Sequence, residues 1–252
     1  MPGIPTSEFG LVSRSLPQPT VDGQERECRL ARSGSTMVEP VFAKNYGICD
    51  EGSYFVANNS GTGVATVAAP TSFSDTAPFF TIANIDTAQN ASSKRVYLDY
   101  IRAYETAAGT AGTDFRIQLV LDYTVPSAGT LLTSTSTNTD TPKSSSIAQA
   151  RILPTGIAQT GNSRTVVGTM IVLPAVTAPI AALCEFYLNF GGIDQGWQNY
   201  TQSTTAAAQI NKYGYPMPPI IIGPGAMMMI RFLITSQSAA SSWTVEAGWW
   251  ER

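Results

Sequence analysis

The chain has 252 residues, of which 43% are hydrophobic and only 13% are charged, against about 25% charged residues in an ordinary soluble domain. Its net charge of −3 argues against the broad positive field that nucleic-acid binding requires. The sequence contains no histidine, which excludes His-based catalytic triads and histidine zinc sites. We therefore expect a non-enzymatic protein with no cofactor, no metal and no direct nucleic-acid partner.

The N-terminal sequence MPGIPTSEFGLVSRSLPQPT lacks a basic segment followed by an apolar run, the pattern of a signal peptide. The most apolar stretch is interrupted by the Gly-Pro-Gly sequence at 223–225 and by Arg231, and it falls short of the roughly 18 apolar residues of a transmembrane helix. We expect neither signal-peptide export nor a membrane partner.

The three cysteines, Cys28, Cys49 and Cys184, contain no C-x-x-C pair. An odd number without that spacing predicts buried or idle thiols and not a metal or redox site. The sequence neither requires nor excludes a disulfide between Cys28 and Cys49.

Residues 1–50 are rich in proline, and their apolar residues follow neither the helical nor the strand period. The alternating charges of residues 24–32 suit a solvated segment better than a polyanion-binding arm. We interpret this region as an extended arm with one strand near residues 38–42. Such arms become ordered by lying on a neighbour.

From residue 51 onward the sequence indicates β-structure. Two short apolar runs, at 54–57 and 63–68, flank an Asn/Gly cluster and predict a hairpin. A third apolar run follows at 78–83.

The clearest strands are residues 94–104 and 115–123, and the Ala/Gly/Thr linker between them predicts a hairpin loop. In the second strand every other residue from Phe115 to Tyr123 is apolar. The intervening positions, which end with Asp122, form a mostly polar face where a solvated charge is expected.

The Ser/Thr-rich residues 130–146 carry only Asp140 and Lys143 as charges, and they predict either a long exposed loop or a polar edge strand. Further strands are predicted at 147–153, 164–173, 183–190, 219–222, 226–235 and 243–250. About ten short strands, with one or two helical turns allowed at 204–210, are typical of an all-β sandwich or barrel.

Gly223-Pro224-Gly225 separates the apolar runs 220–222 and 226–230. This sequence predicts a tight reversal, and we expect a hairpin whose strands both face a packed interior, which favours a jelly roll. The predicted fold is all-β: an extended N-terminal arm at 1–50, then a jelly-roll-like antiparallel β-sandwich at 51–252.

A glycosidase needs only two carboxylates, about 5–10 Å apart. Asp99 and Asp122 are expected in neighbouring strands, whereas Asp50, Glu51 and Asp194 lie at a strand entry or in a loop. A surface charge explains each of them better than catalysis does. Since the chain has no histidine and four lysines, its serines lack an activating base. No catalytic, cofactor-binding or metal-binding residue is predicted.

The aromatic residues are more informative. Trp249 and Trp250 must point to opposite faces of a strand, so one can fill the core while the other faces solvent, a ligand or another chain. A subunit interface is favoured over a cover by the N-terminal arm and over a sugar-stacking platform. The interface candidates are Trp249, Trp250, Trp243, Trp197, Tyr213 and Tyr215. Of these, Trp197, Tyr213 and Tyr215 are expected in loops, where they would also suit a sugar platform.

The segments Asp50–Ala57, Gly61–Ala65 and Gly248–Arg252 resemble a family of tailed-phage structural proteins, small all-β proteins similar to head decoration or cement proteins. The resemblance rests on packing and turn residues and implies no catalytic motif. It implies a virion protein, assembled in the host cytoplasm as a homo-oligomer, with a trimer suited to capsid threefold positions. Its partners would be the major capsid protein or other virion proteins.

Two alternatives stay open. One is the single-jelly-roll coat protein of a small icosahedral virus, which would need a basic arm, whereas the arginines of the arm are partly offset by its acidic residues. The other is a carbohydrate-binding or receptor-binding module of a virion, with a host glycan as ligand. Fold alone does not separate these functions, and a polysaccharide-degrading enzyme ranks last.

Overall fold

The computed structural model describes residues 48–49, 52–59, 64–65, 72–86, 93–107, 115–139, 145–158, 161–173, 184–190, 200–201, 211–234 and 241–252. Within these residues only Ile48 and Cys49 are helical, and the regular structure is otherwise β-strand. The strands in chain order are β1 (Tyr54–Asn58), β2 (Val64–Ala65), β3 (Phe80–Asn84), β4 (Val96–Ala107), β5 (Phe115–Asp122), β6 (Ala128–Leu131), β7 (Thr133–Ser136), β8 (Ala148–Thr155), β9 (Arg164–Leu173), β10 (Cys184–Phe190), β11 (Tyr200–Thr201), β12 (Asn211–Met217), β13 (Ile221–Ile222), β14 (Met227–Ile234) and β15 (Ser242–Glu251).

The strands form two sheets that pack face to face, which confirms the predicted all-β sandwich. The first sheet has the order β11-β12-β10-β4-β15-β1-β7, with β13 beside β10 on one edge of β4 and β2 beside β1 on one edge of β15. The second sheet has the order β6-β8-β3-β14-β5-β9. Only β10 and β12 pair in parallel among the described strands.

The chain changes sheet repeatedly as it runs. β1, β4, β10 and β15 belong to the first sheet, whereas β3, β5, β9 and β14 belong to the second. Most strands therefore pair with partners distant in sequence, and β15 joins the two parts of the first sheet by lying between β4 and β1.

Five aromatic rings form the centre of the core. Phe79, Phe115 and Phe232 come from the second sheet or its edge, and Phe186 and Trp243 come from the first. The ring centroids of Phe115 and Trp243 lie 4.9 Å apart, and Phe79 contacts Phe115 edge-on at 5.4 Å. Such aromatic contacts add to the free energy gained by burying the rings, so this cluster joins the two sheets.

A buried carboxylate joins the sheets at a second place. Glu251, at the end of β15, is 3% exposed. Its Oε1 accepts hydrogen bonds from the Ser146 hydroxyl at 2.5 Å, from the backbone nitrogens of Ile147 at 3.0 Å and Ala148 at 3.3 Å, and from the Trp249 indole at 3.1 Å. Because β15 is in the first sheet and β8 begins at Ala148 in the second, one charged side chain connects both sheets.

Three predicted hairpins are wrong. β1 and β2 do not pair with each other: both lie antiparallel to β15 on the same edge, one after the other. The Asn/Gly cluster between them marks an interruption along one strand direction and not a reversal. The linker after β4 likewise leads from the first sheet to β5 in the second, so it joins no hairpin.

The third is the Gly-Pro-Gly hairpin. The predicted turn is present, since the Ala226 nitrogen donates to the Gly223 carbonyl at 3.2 Å and Gly225 has φ of 69°. The strands on either side are not paired with each other, because β13 pairs with β4 and β14 pairs with β3 and β5. The turn therefore carries the chain from one sheet to the other.

The Ser/Thr tract supplies two edge strands, one on each sheet, so the polar-edge interpretation is confirmed over residues 130–136. β6 pairs with β8 and β7 pairs with β1. Leu132 lies between them, 2% exposed, with its nitrogen bonded to the Ala150 carbonyl at 2.9 Å. One buried leucine thus anchors the chain where it passes between sheet edges.

Asp122 corrects the expected solvated face of β5. The alternation of buried and partly exposed residues breaks at Val120, which is fully buried beside Leu119, and Asp122 is only 2% exposed. A second apolar cluster, which includes Val120, Met227, Met229 and Ile157, covers the outer face of the second sheet at this end. The outer side of β5 is therefore buried at the Asp122 end of the strand.

Contacts within the chain divide it into Met1–Glu51 and Gly52–Arg252. Apart from Ile48 and Cys49, the predicted arm at 1–50 lies outside the described residues and stays a prediction. So do the strand at 38–42, the helical turns at 204–210, and the Cys28 half of a Cys28–Cys49 disulfide.

Replacing Glu251 by Gln is expected to lower the free energy of unfolding by about 2–4 kcal/mol, because the amide nitrogen in the place of Oε2 faces the Ile147 N–H and the bonds that Oε1 accepts lose their charge. Urea unfolding measures this. Glu185→Gln is the matched control: it breaks a partly exposed ion pair with Arg102 and should change stability by less than about 1 kcal/mol. Equal effects of the two substitutions would contradict the role assigned to Glu251.

Candidate functional site

The alternation along β15 separates core residues from surface residues. Trp249 is fully buried, as are Trp243 and Ala247, whereas Trp250 is partly exposed on the opposite face. This confirms that the two adjacent tryptophans face different environments. Trp243 and Trp249 lie in the interior of their own chain and offer no surface to another, so both are removed from the interface candidates.

Tyr213 and Tyr215 were expected in a loop but belong to β12, which pairs in parallel with β10. Tyr215 is partly buried and packs against the core. Trp197 lies outside the described residues. Among the candidates whose side chains the structure describes, Trp250 is the one that lies on the outer face of the first sheet; the side chain of Tyr213 is outside that set.

Trp250 belongs to an aromatic row that crosses three neighbouring strands. Tyr97 of β4 is its cross-strand partner, and Ile221 of β13 is the next residue in register. The rings of Trp250 and Tyr97 are stacked, with centroids 3.8 Å apart and planes 4° apart, and Ile221 is 51% exposed. We call Trp250, Tyr97 and Ile221 the aromatic row. Sequence reasoning missed Tyr97 and Ile221, because only strand register brings them to Trp250.

A β-bulge adjoins the row. The register of β15 against β4 shifts between Gly248 and Trp249, since Gly248 pairs with Tyr100 and Trp249 pairs with Leu98. Asp99 is the extra residue. A bulge re-aims the side chains around it, and here Asp99 and Tyr100 both reach the outer face.

Tyr100 lies across Gly248 on this face. A Cβ added to Gly248 would lie 2.8 Å from Tyr100 Cδ1 and 2.7 Å from the Tyr54 hydroxyl, so only glycine leaves room for both rings. The Tyr100 ring also stacks on Tyr187 of β10, with centroids 5.5 Å apart.

The phenols of this region donate to carboxylates. The Tyr54 hydroxyl donates to Asp99 Oδ2 and the Tyr100 hydroxyl to Glu246 Oε1, each at 2.7 Å. Burial, then the hydrogen bond to Glu246, raises the pKa of Tyr100, and burial raises the pKa of Tyr187 as well. Both phenols therefore stay protonated, and Tyr100 remains the donor to Glu246.

A groove with a volume of about 300 Å³ opens at the other end of the face. It is lined by Asn58, Asn59, Arg102, Tyr104, Thr244, Val245 and Glu246.

The groove lies where β1 ends. The side chain of Asn59 continues the pairing with β15 in place of a strand residue: its Oδ1 accepts from the Val245 nitrogen at 3.2 Å, and its Nδ2 donates to the Trp243 carbonyl at 3.4 Å. Arg102 Nε donates to Glu185 Oε1 at 2.5 Å, and this bond raises the pKa of Arg102.

The carboxylates considered from sequence do not form a catalytic pair. Asp99 is in β4 of the first sheet and Asp122 in β5 of the second, so the expectation of neighbouring strands is wrong. Asp50, Glu51 and Asp194 lie outside the described residues. Within the part of the chain that the structure describes, no group of three or more Cys, Asp or Glu residues is placed to hold a metal ion.

Comparison of the chain with protein-family models, with curated proteins and with solved structures finds no match. None of the described residues forms a helix long and apolar enough to span a membrane.

Gly248→Ala is expected to lower the free energy of unfolding by about 1–3 kcal/mol, because the new methyl group displaces the Tyr100 ring. Thermal or urea unfolding measures the loss. Gly168→Ala is the control, since a Cβ there meets nothing within 4 Å. If Gly248→Ala is as stable as the control, the Tyr100 ring does not depend on this glycine.

The raised pKa of Tyr100 predicts a loss of stability at high pH. Above its ordinary pKa of 10.0 the phenol ionises in the unfolded chain but not in the folded one, so the folded state holds more protons and unfolding becomes more favourable as pH rises. Urea unfolding across this range should show a shallower decline for Tyr100→Phe than for the unmodified protein. Parallel profiles of stability against pH for the two proteins would contradict the raised pKa of Tyr100.

Proposed function

We propose that this chain is a non-enzymatic structural protein of a virion, which decorates or cements a phage capsid as a homo-oligomer, with a trimer as the expected assembly. Its partners would be other copies of itself and the major capsid protein or another virion protein. The observation that carries the proposal is the aromatic row, which presents Trp250, Tyr97 and Ile221 in register on the outer face of the sandwich.

The chemistry of the row suits a protein interface. Tryptophan and tyrosine are enriched among the residues that dominate binding energy, and they act best in a patch that excludes water. The three cations Lys94, Arg95 and Arg252 are exposed, and the backbones of Arg95 and Arg252 are paired next to the row. An apolar centre with a charged rim is the usual anatomy of such a surface.

The strand order supports a jelly roll, the fold common among virion proteins. Without their edge strands, the sheets have the orders β1-β15-β4-β10 and β3-β14-β5-β9, and the chain moves between them as it does in an eight-stranded jelly roll. β6, β7, β8, β11 and β12 are then additions at the sheet edges. The resemblance of the residue segments to tailed-phage decoration or cement proteins agrees with this interpretation.

The same strand order favours one second candidate, the single-jelly-roll coat protein of a small icosahedral virus. A coat protein of this kind neutralises its genome with a basic arm. The residues 1–50 contain Arg14, Arg26, Arg29 and Arg32 together with Glu8, Asp22, Glu25 and Glu27, so they supply little net positive charge. For this reason the decorating or cementing role ranks first.

The proposal predicts that the purified protein is a homo-oligomer and that Trp250→Ala weakens its assembly about thirtyfold or more, as expected for loss of a dominant interface residue worth at least 2 kcal/mol. Light scattering across a dilution series measures the mass of the wild-type protein and of Trp250→Ala. Tyr123→Ala is the control, because Tyr123 is an exposed tyrosine at the end of the second sheet.

Urea unfolding should show that Trp250→Ala remains folded, with a loss of about 0.5–1.5 kcal/mol from the missing ring stack. A wild-type monomer at every concentration would remove the homo-oligomer from the proposal. A Trp250→Ala protein that assembles as the wild type does would remove the aromatic row as its interface.

A further inference from the structure

We propose that the groove at Arg102, Tyr104, Thr244 and Glu246 binds a neutral carbohydrate, one or two sugar residues of an oligosaccharide. The groove lies on the same outer face as the aromatic row but at the opposite end of β15, at Thr244–Glu246 against Trp250. The inference does not depend on the proposed virion role.

The volume of the groove fits this ligand class. At about 300 Å³ it lies at the lower end of the range for small-molecule sites, enough for one or two pyranose rings. Its lining comes from β1, β4 and β15 and from Asn59 just after β1. Groups held on paired strands keep their geometry without ligand, which lowers the entropic cost of binding.

The charges of the groove favour a neutral ligand. Arg102 is already paired with Glu185, and Glu246 already accepts from Tyr100. An anion would therefore have to compete with Glu185 for Arg102, and a cation would have to compete with the Tyr100 hydroxyl for Glu246. Neutral hydroxyl groups need not compete, because a guanidinium has five N–H donors and a carboxylate about four acceptor positions.

The side chains also match the groups that a sugar presents. Neighbouring hydroxyls of a sugar ring both donate and accept, and the planar carboxylate of Glu246 and guanidinium of Arg102 can each engage two of them. Thr244 adds a hydroxyl to the lining, and Tyr104 adds an aromatic ring with an apolar face for the C–H groups of the sugar. Donors, acceptors and one aromatic ring are thus collected in one groove.

Saturation-transfer NMR with the wild-type protein tests the inference. The probes are the methyl glycosides of glucose, galactose and N-acetylglucosamine, the disaccharides maltose and cellobiose, and glucuronate as the anionic counterpart. We expect transfer to the ring protons of at least one neutral probe, and tighter binding of that probe than of glucuronate. No transfer to any neutral probe, or tighter binding of glucuronate, would overturn the proposal.

The bound neutral probe should lose about tenfold or more in affinity with Tyr104→Ala and with Glu246→Gln. Tyr123→Ala is the matched tyrosine control and should leave affinity unchanged. If either groove variant does not fold, amide chemical-shift mapping in the labelled wild-type protein replaces it: shifts at Arg102, Thr244 and Glu246 are required. Unchanged affinity in both variants, or shifts confined elsewhere, would overturn the assignment.

Trp250→Ala separates this inference from the proposed function. It should weaken assembly and leave affinity for the neutral probe unchanged, because the aromatic row contributes nothing to the lining of the groove. Loss of sugar binding in that variant would place the ligand on the aromatic row and overturn the groove as its site.

Discussion

The C-terminal strand β15 is the constraint on which the rest of this sandwich depends. It lies between β4 and β1 in the first sheet, its inward tryptophans complete the core, and its Glu251 accepts hydrogen bonds from the start of β8 in the second sheet. A buried carboxylate without donors is costly, whereas one that accepts several hydrogen bonds is stable. Glu251 therefore ties the end of β15 in the first sheet to the start of β8 in the second.

The same strand also shapes the outer face. Its inward and outward positions alternate, so the residues that complete the core fix the positions of Thr244, Glu246, Gly248 and Trp250 on the opposite side. The bulge at Asp99 and the absence of a side chain at Gly248 let tyrosine rings lie flat on the sheet. Packing inside the sandwich thus determines which surface groups can meet.

The two ends of this face differ in chemistry. The aromatic row exposes stacked rings and an aliphatic side chain, which gain free energy when another surface excludes water from them. The groove combines the paired side chains of Arg102 and Glu246 with exposed apolar atoms, a mixture that suits a ligand with both hydroxyl and C–H groups. A single β-sheet can therefore present a protein contact and a small-molecule site without a change in fold.

Local patterns in the sequence determined much of the secondary structure. The predicted strand at 164–173 has the bounds of β9, the opposite orientations of Trp249 and Trp250 follow from strand period alone, and the turn at Gly223–Gly225 forms as its residues require. These features depend on backbone preferences and on the alternation of side chains, which neighbouring residues encode.

Tertiary structure alone decided which strands pair and which surfaces are covered. A turn signal does not say whether the next strand returns to the same sheet or crosses to the other, so three hairpins were predicted wrongly. Asp122 is buried at the end of β5, where its cross-strand partner Met227 belongs to an apolar cluster drawn from several strands. Tyr97 and Ile221 join Trp250 through the register of β4 with strands far along the chain, and pairing over such separations leaves no mark in the local sequence.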